Sequence, residues 1–229
     1  MSEAVRTMFA RIAPRYDVGN NVLSFGIHHY WRQAVVRYVG AQPGMSVLDC
    51  ATGTGDLAIA FKRAVGSTGT VIGTDFCAEM MQTAPSKARK SGLDIRFEIA
   101  DAMCLPYANN TFDIASIAFG IRNVDEPMQA LREMARVVRP GGKVVVLEFG
   151  QPSGVVGILF RAYSEYILSW IGGLISGYPE AYSYLHHTAS VFPSGKAFDA
   201  MMNQTAAFTT TSYTALTFGI AYIYVGVVA

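Results

Sequence analysis

The chain has 229 residues, a net charge of +1 and 51% hydrophobic residues, and its mean hydropathy is +0.27. This length suits a single domain with a sizeable core. The near-neutral charge and the lack of a basic stripe argue against a nucleic-acid partner. No apolar run approaches the ~20 residues of a membrane span. The charged N-terminal segment is unlike a signal peptide, and three unpaired cysteines favour a cytoplasmic location.

The N-terminal region, residues 1–45, predicts a helical cap of two helices joined by a polar, Gly/Asn-rich stretch. Beyond it, strands and helices alternate. The predicted strands cover 46–50, 69–75, 94–101, 111–119 and 143–149. The predicted helices cover 55–65, 77–92 with a break at Pro85, and 126–138, which the turn 139–142 ends.

This alternation predicts an α/β fold, with a mostly parallel sheet flanked by helices and a ligand beyond the carboxyl ends of the strands. The whole chain, 1–229, is expected to form one domain with a cofactor-binding core over 46–150. Residues 151–200 are expected to form helices and loops on the substrate side. Residues 201–229 are rich in β-branched and aromatic side chains and predict a C-terminal hairpin.

The turn after the first strand, LDCATGTGD, is typical of a nucleotide site. Gly53, Gly55 and Ala58 match the relaxed dinucleotide fingerprint G-x-G-x-x-G/A, and Asp75 follows twenty residues after Gly55. These residues leave a nicotinamide-dependent oxidoreductase open as an alternative.

Charge favours a different nucleotide. Asp56 opens the following helix and Asp49 lies just before the turn. A carboxylate ~4 Å from a phosphate meets a repulsion of ~4 kcal/mol at an effective dielectric near 20. S-adenosylmethionine has no phosphate and carries a sulfonium and an ammonium group, so the same acids would attract it. The simpler interpretation is that the two acids only cap helices.

Two further acids follow successive strands. Asp75, at the end of the second strand, is placed for the ribose hydroxyls, and Asp101–Ala102, at the end of the third, for the adenine edge. Four acids at successive strand ends point to S-adenosylmethionine more specifically than any one of them.

Four blocks closely resemble the C-methyltransferases of ubiquinone and menaquinone biosynthesis, within the class I S-adenosylmethionine-dependent methyltransferases. They are YDVGNNVLSFGIHHYW (16–31), LDCATGTGD (48–56), FGIRNVDEP (119–127) and RVVRPGGKVVVLEF (136–149). A weaker likeness continues over 181–195. The resemblance implies a Rossmann-like, seven-stranded fold and methyl transfer to a polyprenyl quinol, with demethylmenaquinol favoured.

The chain departs from the usual family pattern at Gly19, Gly150, Ala118 and His186–His187. At Ala118 only a backbone contact to the cofactor remains. These departures bear on the identity of the acceptor more than on methyl transfer.

The resemblance places cofactor contacts at Thr54, Asp75, Asp101, Ala102 and Ala118. The charge argument and the turn add Asp49, Gly53 and Gly55. The resemblance also places Arg122 and Asn123 beside the acceptor, and Tyr16 opens the N-terminal motif.

A quinol carbon becomes a good nucleophile when its phenol, of pKa ~10, loses a proton. Candidate bases are His28 or His29, or a water held by Arg122, Asn123, Tyr16 and Asp101, which we favour, with Arg122 stabilising the phenolate. Each residue also has a structural interpretation: Arg122 could pair with Asp125, Asn123 could serve a turn, and Tyr16 and His28 could anchor the cap.

The apolar segment 155–175 is interrupted by Arg161 and Glu165, so a membrane span is not expected. We expect it to pack on the sheet, to line the quinol site, or to contact the bilayer surface peripherally. A homodimer is also a hypothesis, and no metal is expected, since the histidine pair 186–187 lacks partners at ligand spacing. Two further hypotheses stay open: the acceptor could be a different aromatic or lipid compound, or the chain could be a non-catalytic subunit of quinone biosynthesis.

Overall fold

A computed structural model describes residues 3–164 and 178–229 of the chain. One seven-stranded sheet organises the fold, in the order β3-β2-β1-β4-β5-β7-β6. The strands are β1 (Ser46–Cys50), β2 (Thr70–Asp75), β3 (Arg96–Ile99), β4 (Phe112–Ala118), β5 (Val138–Phe149), β6 (Phe208–Leu216) and β7 (Ala221–Val228).

The first five strands run parallel, and β7 pairs antiparallel with both β5 and β6. The predicted mostly parallel sheet of seven strands with a C-terminal hairpin is thus confirmed. The hairpin itself begins at Phe208 rather than at residue 201, since a helix precedes it.

The helices cover both faces of the sheet. They are α1 (Glu3–Ile12), α2 (Tyr16–Leu23), α3 (Ile27–Val39), α4 (Asp56–Val65), α5 (Ala78–Met81), α6 (Ala84–Lys90), α7 (Pro127–Val137), α8 (Gly154–Ala162), α9 (Pro179–Val191) and α10 (Lys196–Gln204). Among the residues that the structure describes, no helix is both long and apolar enough to cross a membrane.

The core consists of two apolar layers separated by the central strands. In β5, Val144 and Val146 face the layer that contains Leu131 of α7, whereas Val145 and Leu147 face the opposite layer. A strand that is buried on both faces has an unbroken run of apolar residues in its sequence, as residues 144–147 (VVVL) do.

The cap contains three α-helices instead of the two that the sequence predicts. The stretch expected to be a polar connection, around Gly19–Asn21, lies inside α2. Its residues are poor helix formers in isolation, but Gly19 and Leu23 are buried, so tertiary packing overrides the local preference. A separate apolar cluster, with Phe9, Leu23 and Met80, packs the cap against the segment that follows β2.

Of two breaks predicted at Pro and Gly residues, the one at Pro85 is confirmed and the one at 139–142 is not. Pro85 lies in the first turn of α6 and separates it from the one-turn helix α5, as its missing N–H allows. The turn 139–142 does not stand between α7 and β5 but belongs to β5, where the pairing register with β4 shifts between Phe112 and Ile114. Gly141 lies in the part of β5 where the register shifts, and its φ of +76° is one that glycine adopts readily.

Candidate cofactor and acceptor site

A cleft opens at the carboxyl ends of β1, β2 and β4, beneath the cap. The predicted site residues that line it are Tyr16, Asp49, Gly53, Thr54, Asp75, Ala118 and Asn123. The structure therefore brings together residues that are up to 107 positions apart in sequence, by placing three strand ends side by side beneath helix α2, which carries Tyr16.

Asp49 is the most deeply buried acid of the cleft, with 1% of its surface exposed. Its carboxylate accepts hydrogen bonds from Thr52 Oγ1 at 2.7 Å and Ser116 Oγ at 2.6 Å. Burial raises the pKa of Asp49 to about 6, against the opposing effect of these two hydrogen bonds. Asp49 therefore stays largely ionised near pH 7 but at a desolvation cost that a bound cation would offset.

Asp75 closes the cleft at the end of β2. One carboxylate oxygen accepts the Gly53 N–H at 2.9 Å, and the other accepts the Cys77 N–H at 2.9 Å. Burial raises its pKa in spite of these backbone donors. The two bonds fix the orientation of the carboxylate while leaving lone pairs on both oxygens for further donors.

The turn after β1 runs close to the cleft because of its backbone conformation. Gly53 and Gly55 have φ values of +53° and +83°, which side chains other than glycine rarely adopt. Ala51 and Phe119 also have positive φ values, +48° and +55°, and both line the cleft. Such strained non-glycine residues cluster at functional sites. Gly55 caps α4 and is not itself part of the cleft wall described by the structure.

Asp56 does not contribute the free negative charge that the sequence argument assigns to it. Its Oδ1 accepts from Lys87 Nζ at 2.5 Å. Burial acts to raise the pKa of Asp56, but Arg32 and Lys87 hold it below its usual value. The Lys87 ammonium thus cancels much of the repulsion expected toward a phosphate, and Asp49 and Asp75 are the acids that favour a cationic ligand. Neither of these forms an ion pair within residues 3–164 and 178–229.

Lys87 also joins the cap to the cleft. Its Nζ donates to Asp17 Oδ2 of α2 at 2.7 Å and to Thr54 Oγ1 at 3.2 Å, and Thr54 Oγ1 donates to Asp17 Oδ1 at 2.6 Å. We call Asp17, Thr54, Asp56 and Lys87 the cap latch. Because Asp17 is 70 positions from Lys87, the sequence pattern alone carries no sign of it.

His28 lies outside the cleft wall, in a buried position on α3. Its Nε2 bonds to Asn21 Oδ1 at 2.9 Å, and Arg32 Nη1 contacts its Nδ1. Burial, reinforced by Arg32 and His29, lowers its pKa to about 4. His28 is therefore neutral at pH 7 and a weak base, and its contacts anchor α2 to α3.

His28, His29 and Asp56 bring potential metal-ligand atoms within 4.8 Å of one another. However, Lys87 already pairs with Asp56, and Arg32 contacts His28. Two cationic side chains beside the cluster oppose the binding of a third cation.

Arg122 follows the cleft-lining residue Gly120 but its guanidinium points elsewhere. Its side chain is 2% exposed and donates from Nη1 to Glu148 Oε1 at 2.5 Å and to the Phe119 carbonyl at 2.9 Å. The ion-pair partner is thus Glu148, at the end of β5, which the sequence did not predict. Arg122 Nε and Glu148 Oε2 have no hydrogen-bond partner among the residues described.

Asn123 and Tyr16 do face the cleft. Asn123 Oδ1 accepts from Tyr184 Oη at 3.2 Å, so helix α9 contributes a phenol to this side of the site. Burial raises the pKa of Tyr184, which keeps it protonated as a donor. Like Lys87 and Glu148, Tyr184 is a residue that the sequence did not predict at the site.

Asp101 and Ala102 stand beyond β3 and are not part of the described cleft wall. Asp101 Oδ1 accepts the Met103 N–H at 2.9 Å, which shapes the loop after β3. Ala118 ends β4 and lines the cleft, where it has no side-chain hydroxyl to offer.

The departure from the usual family residue at Gly150 has a steric reason. A Cβ atom on Gly150 would collide with the Gly219 carbonyl and the ring of Tyr222. In this chain Tyr222 therefore occupies the volume that a serine or threonine side chain at position 150 would need.

The chain matches the model of the ubiE/COQ5 methyltransferase family over residues 1–228. The chain belongs to this family. It is 57% identical over 227 residues to the Bdellovibrio bacteriovorus protein named ubiquinone/menaquinone biosynthesis C-methyltransferase UbiE, covering 99% of this chain and 96% of that protein. It is 45% identical to the demethylmenaquinone methyltransferase of Deinococcus radiodurans, covering 98% of this chain and 92% of that protein. The corresponding Thermus thermophilus protein is 46% identical, with coverages of 96% and 99%.

Among solved structures, an S-adenosylmethionine-dependent methyltransferase from Thermotoga maritima matches with a TM-score of 0.69 at 20% identity, covering 97% of this chain and 99% of that one. This match confirms the predicted class I methyltransferase fold. Family membership confirms the predicted resemblance, and this ubiE/COQ5 methyltransferase uses S-adenosylmethionine as its methyl donor. The residues of the cleft fit this cofactor, since the carboxylates of Asp49 and Asp75 face a cleft with a glycine turn at its edge.

Proposed function

We propose that this methyltransferase transfers a methyl group to a ring carbon of demethylmenaquinol, a polyprenyl naphthoquinol. The observation that carries the proposal is the full-length match to relatives named for menaquinone biosynthesis, at 45–57% identity. Two of these relatives are named for demethylmenaquinone alone, which favours the naphthoquinol over a benzoquinol.

For the cofactor side, we propose that Asp75 accepts from the ribose hydroxyls and that Asp49 faces the cationic end of the donor. Gly53, Thr54 and Gly55 form the turn that lets the backbone approach the ligand. We propose Ala118 as a backbone contact, and Asp101–Ala102 as the adenine contact, reached from the loop after β3. When bound, S-adenosylmethionine supplies an electrophilic methyl group, so the protein needs no electrophile of its own.

For the acceptor side, we propose that Tyr16 and Asn123 position the quinol and a water that accepts its phenolic proton. These two side chains support the arrangement because both line the cleft. Arg122 would favour the phenolate through its charge and not through a direct hydrogen bond. Its guanidinium already donates to Glu148, so it would act at longer range than the direct contact that the sequence predicts. His28 is the weaker candidate for a base because its pKa is about 4.

The test is an assay of the purified protein with S-adenosylmethionine and demethylmenaquinol, read by mass analysis of the quinone. We expect a product in which a methyl group replaces one ring hydrogen, a net gain of CH2, and we expect less product from demethylubiquinol-type benzoquinols. Mass analysis of quinones from a strain lacking the protein is the matching experiment in cells. Tight binding of the cofactor without turnover on any quinol would instead favour a non-catalytic subunit.

We further propose that the protein works at the cytoplasmic surface of a membrane, where its acceptor dissolves. In α8, Val155, Ile158 and Leu159 share one helix face and are 61–72% exposed. Phe25, 86% exposed, lies beside this face, since its ring contacts Tyr163, whose hydroxyl donates to the Leu23 carbonyl at 2.7 Å.

Charge supports an anionic lipid surface. Residues 18–40 and 151–164 contain no acidic residue, and their exposed charged side chains are Arg37 and Arg161. The rest of the predicted apolar segment, 165–175, lies outside the described residues.

Co-sedimentation with phosphatidylglycerol vesicles tests the proposal: replacing Val155, Ile158 and Leu159 by serine should weaken binding at least ~10-fold. Val191→Ser, which changes an exposed valine of α9, is the control. Equal binding by both variants would contradict it.

A further inference from the structure

Arg32 is the one arginine or lysine among the described residues that line the cleft. It lies on α3, one helical turn after His28. The helix is held firmly at this point, because Trp31 is buried and its indole Nε1 donates to Thr217 Oγ1 at 2.9 Å. Arg32 therefore presents its charge to the cleft from a rigid support.

The guanidinium of Arg32 is only partly used by the protein. Nη1 donates to the His28 carbonyl at 3.2 Å and contacts His28 Nδ1. Nε and Nη2 form no hydrogen bond to any residue that the structure describes, and Arg32 forms no ion pair with those residues. Two donors of a planar fork thus remain for a bidentate partner.

The cleft combines charges of both signs in a way that matches an amino acid. Asp49 and Asp75 are negative, whereas Arg32 is positive. Its charge helps to hold the pKa of Asp56 low and opposes part of the effect of burial, which raises the pKa of Asp49. The methionine part of the donor carries an ammonium group and a carboxylate. The carboxylate is repelled by Asp49, and Lys87 is already engaged by Asp17 and Asp56.

We propose that Arg32 forms the α-carboxylate subsite of the cleft and binds the carboxylate of the amino acid end of the cofactor. His28 supports this role by fixing Nη1, which leaves Nε and Nη2 to form the bidentate pair. This inference rests on the proposed placement of the cofactor between Asp49 and Asp75.

Calorimetric titration with two ligands tests the subsite. S-adenosylhomocysteine carries the carboxylate, and its decarboxylated analogue, in which the amino acid is replaced by an amine, does not. Arg32→Met should weaken S-adenosylhomocysteine binding about 10- to 100-fold, the range for a charge-assisted pair. It should change binding of the amine analogue less than about threefold, since no charge pair is lost. Arg32→Lys should restore part of the affinity.

Arg37→Met is the matched control, because Arg37 lies on the exposed side of the same helix and stacks on Tyr30. It should leave both affinities unchanged. Equal weakening of both ligands by Arg32→Met would overturn the proposal and assign Arg32 a structural role. If the wild-type protein bound neither ligand, the placement of the cofactor itself would fail, which is a distinguishable result.

Discussion

Asp49 links proton binding to cofactor binding. Its pKa of about 6 lies above the ordinary value of 3.8, so the folded chain holds a proton that the unfolded chain releases between these values. The free energy of unfolding of the ligand-free protein therefore falls as pH rises through this window. The loss reaches about 3 kcal/mol above pH 6.

We predict that Asp49→Asn is at least as stable as wild type at pH 8 without ligand, because the buried charge is gone. The same variant should bind S-adenosylmethionine at least ~10-fold more weakly, through loss of a buried charge pair. Urea denaturation at pH 4 and pH 8, together with calorimetry, measures both effects. A variant less stable than wild type at pH 8 would refute the assigned cost of the charge.

Arg122 and Glu148 form a buried pair whose members depend on each other. Removing one partner leaves an uncompensated charge, so Arg122→Met or Glu148→Met should each cost about 3–5 kcal/mol. The double variant should recover most of this stability, because no charge remains buried. Urea midpoints of the four proteins give the coupling free energy.

The double variant also separates structure from chemistry. If Arg122 favours the phenolate at long range, the double variant should be folded but should turn over demethylmenaquinol about 3- to 10-fold more slowly, since Glu148 cancels part of the charge. Wild-type turnover by the double variant would show that the pair serves stability alone.

The acids of the cleft are predictable from the sequence, but their partners are not. Asp49, Asp75 and the glycine turn lie within one strand–turn–helix pattern, which is why a local signal exists. Lys87, Glu148 and Tyr184 reach the site from distant elements, and no spacing rule connects them to it. Arg32 could have been predicted as a site residue, since it directly follows the first family block and a cation is needed to bind the carboxylate of the cofactor.

The helices of the cap depend on the cap latch for their position over the cleft. Asp17 is the only latch residue on the cap, and it bonds to both Thr54 and Lys87. We predict that Asp17→Ala raises the dissociation rate of S-adenosylhomocysteine about 5- to 10-fold. It should barely change the melting temperature, since partly exposed ion pairs contribute at most about 1 kcal/mol.

Stopped-flow dissociation and hydrogen exchange over residues 3–23 measure this effect. Glu3→Ala is the control, because it breaks the exposed Glu3–Arg6 pair of the same cap without touching the latch. An equal effect of both variants would mean that cap stability in general, and not the latch, governs ligand release.

Elements were predicted best where burial and local pattern agree. The strand Ser46–Cys50 matches its prediction residue for residue, because its apolar side chains, Gly-rich exit and neighbouring helix all favour the same structure. The pattern failed at α2, where packing of Gly19 and Leu23 outweighs Asn-rich composition. It also failed at residues 139–142, since Pro and Gly mark irregular backbone without saying whether a strand continues through it.

The molecule as a whole should be stabilised by its cofactor and not by a dinucleotide. At 100 times its dissociation constant, a ligand that binds only the folded state adds about 2.7 kcal/mol. For a chain of this size this corresponds to a rise in melting temperature of about 5–10 °C. We expect this rise with S-adenosylhomocysteine and none with NADH at the same concentration, measured by calorimetric scanning. A rise with NADH alone would revive the oxidoreductase hypothesis.

The order of strands at one side of the sheet constrains the route by which the chain folds. β6 precedes β7 in the sequence, yet it reaches the sheet only through β7, which lies between β5 and β6. The contact between β5 and β7 joins residues as distant as Lys143 and Val227, so closing it costs considerable chain entropy. Until β7 docks, the edge of β5 stays open to pairing with other chains. We expect the docking of β7 on β5 to limit the rate of refolding, and we expect self-association at high concentration to occur before this step.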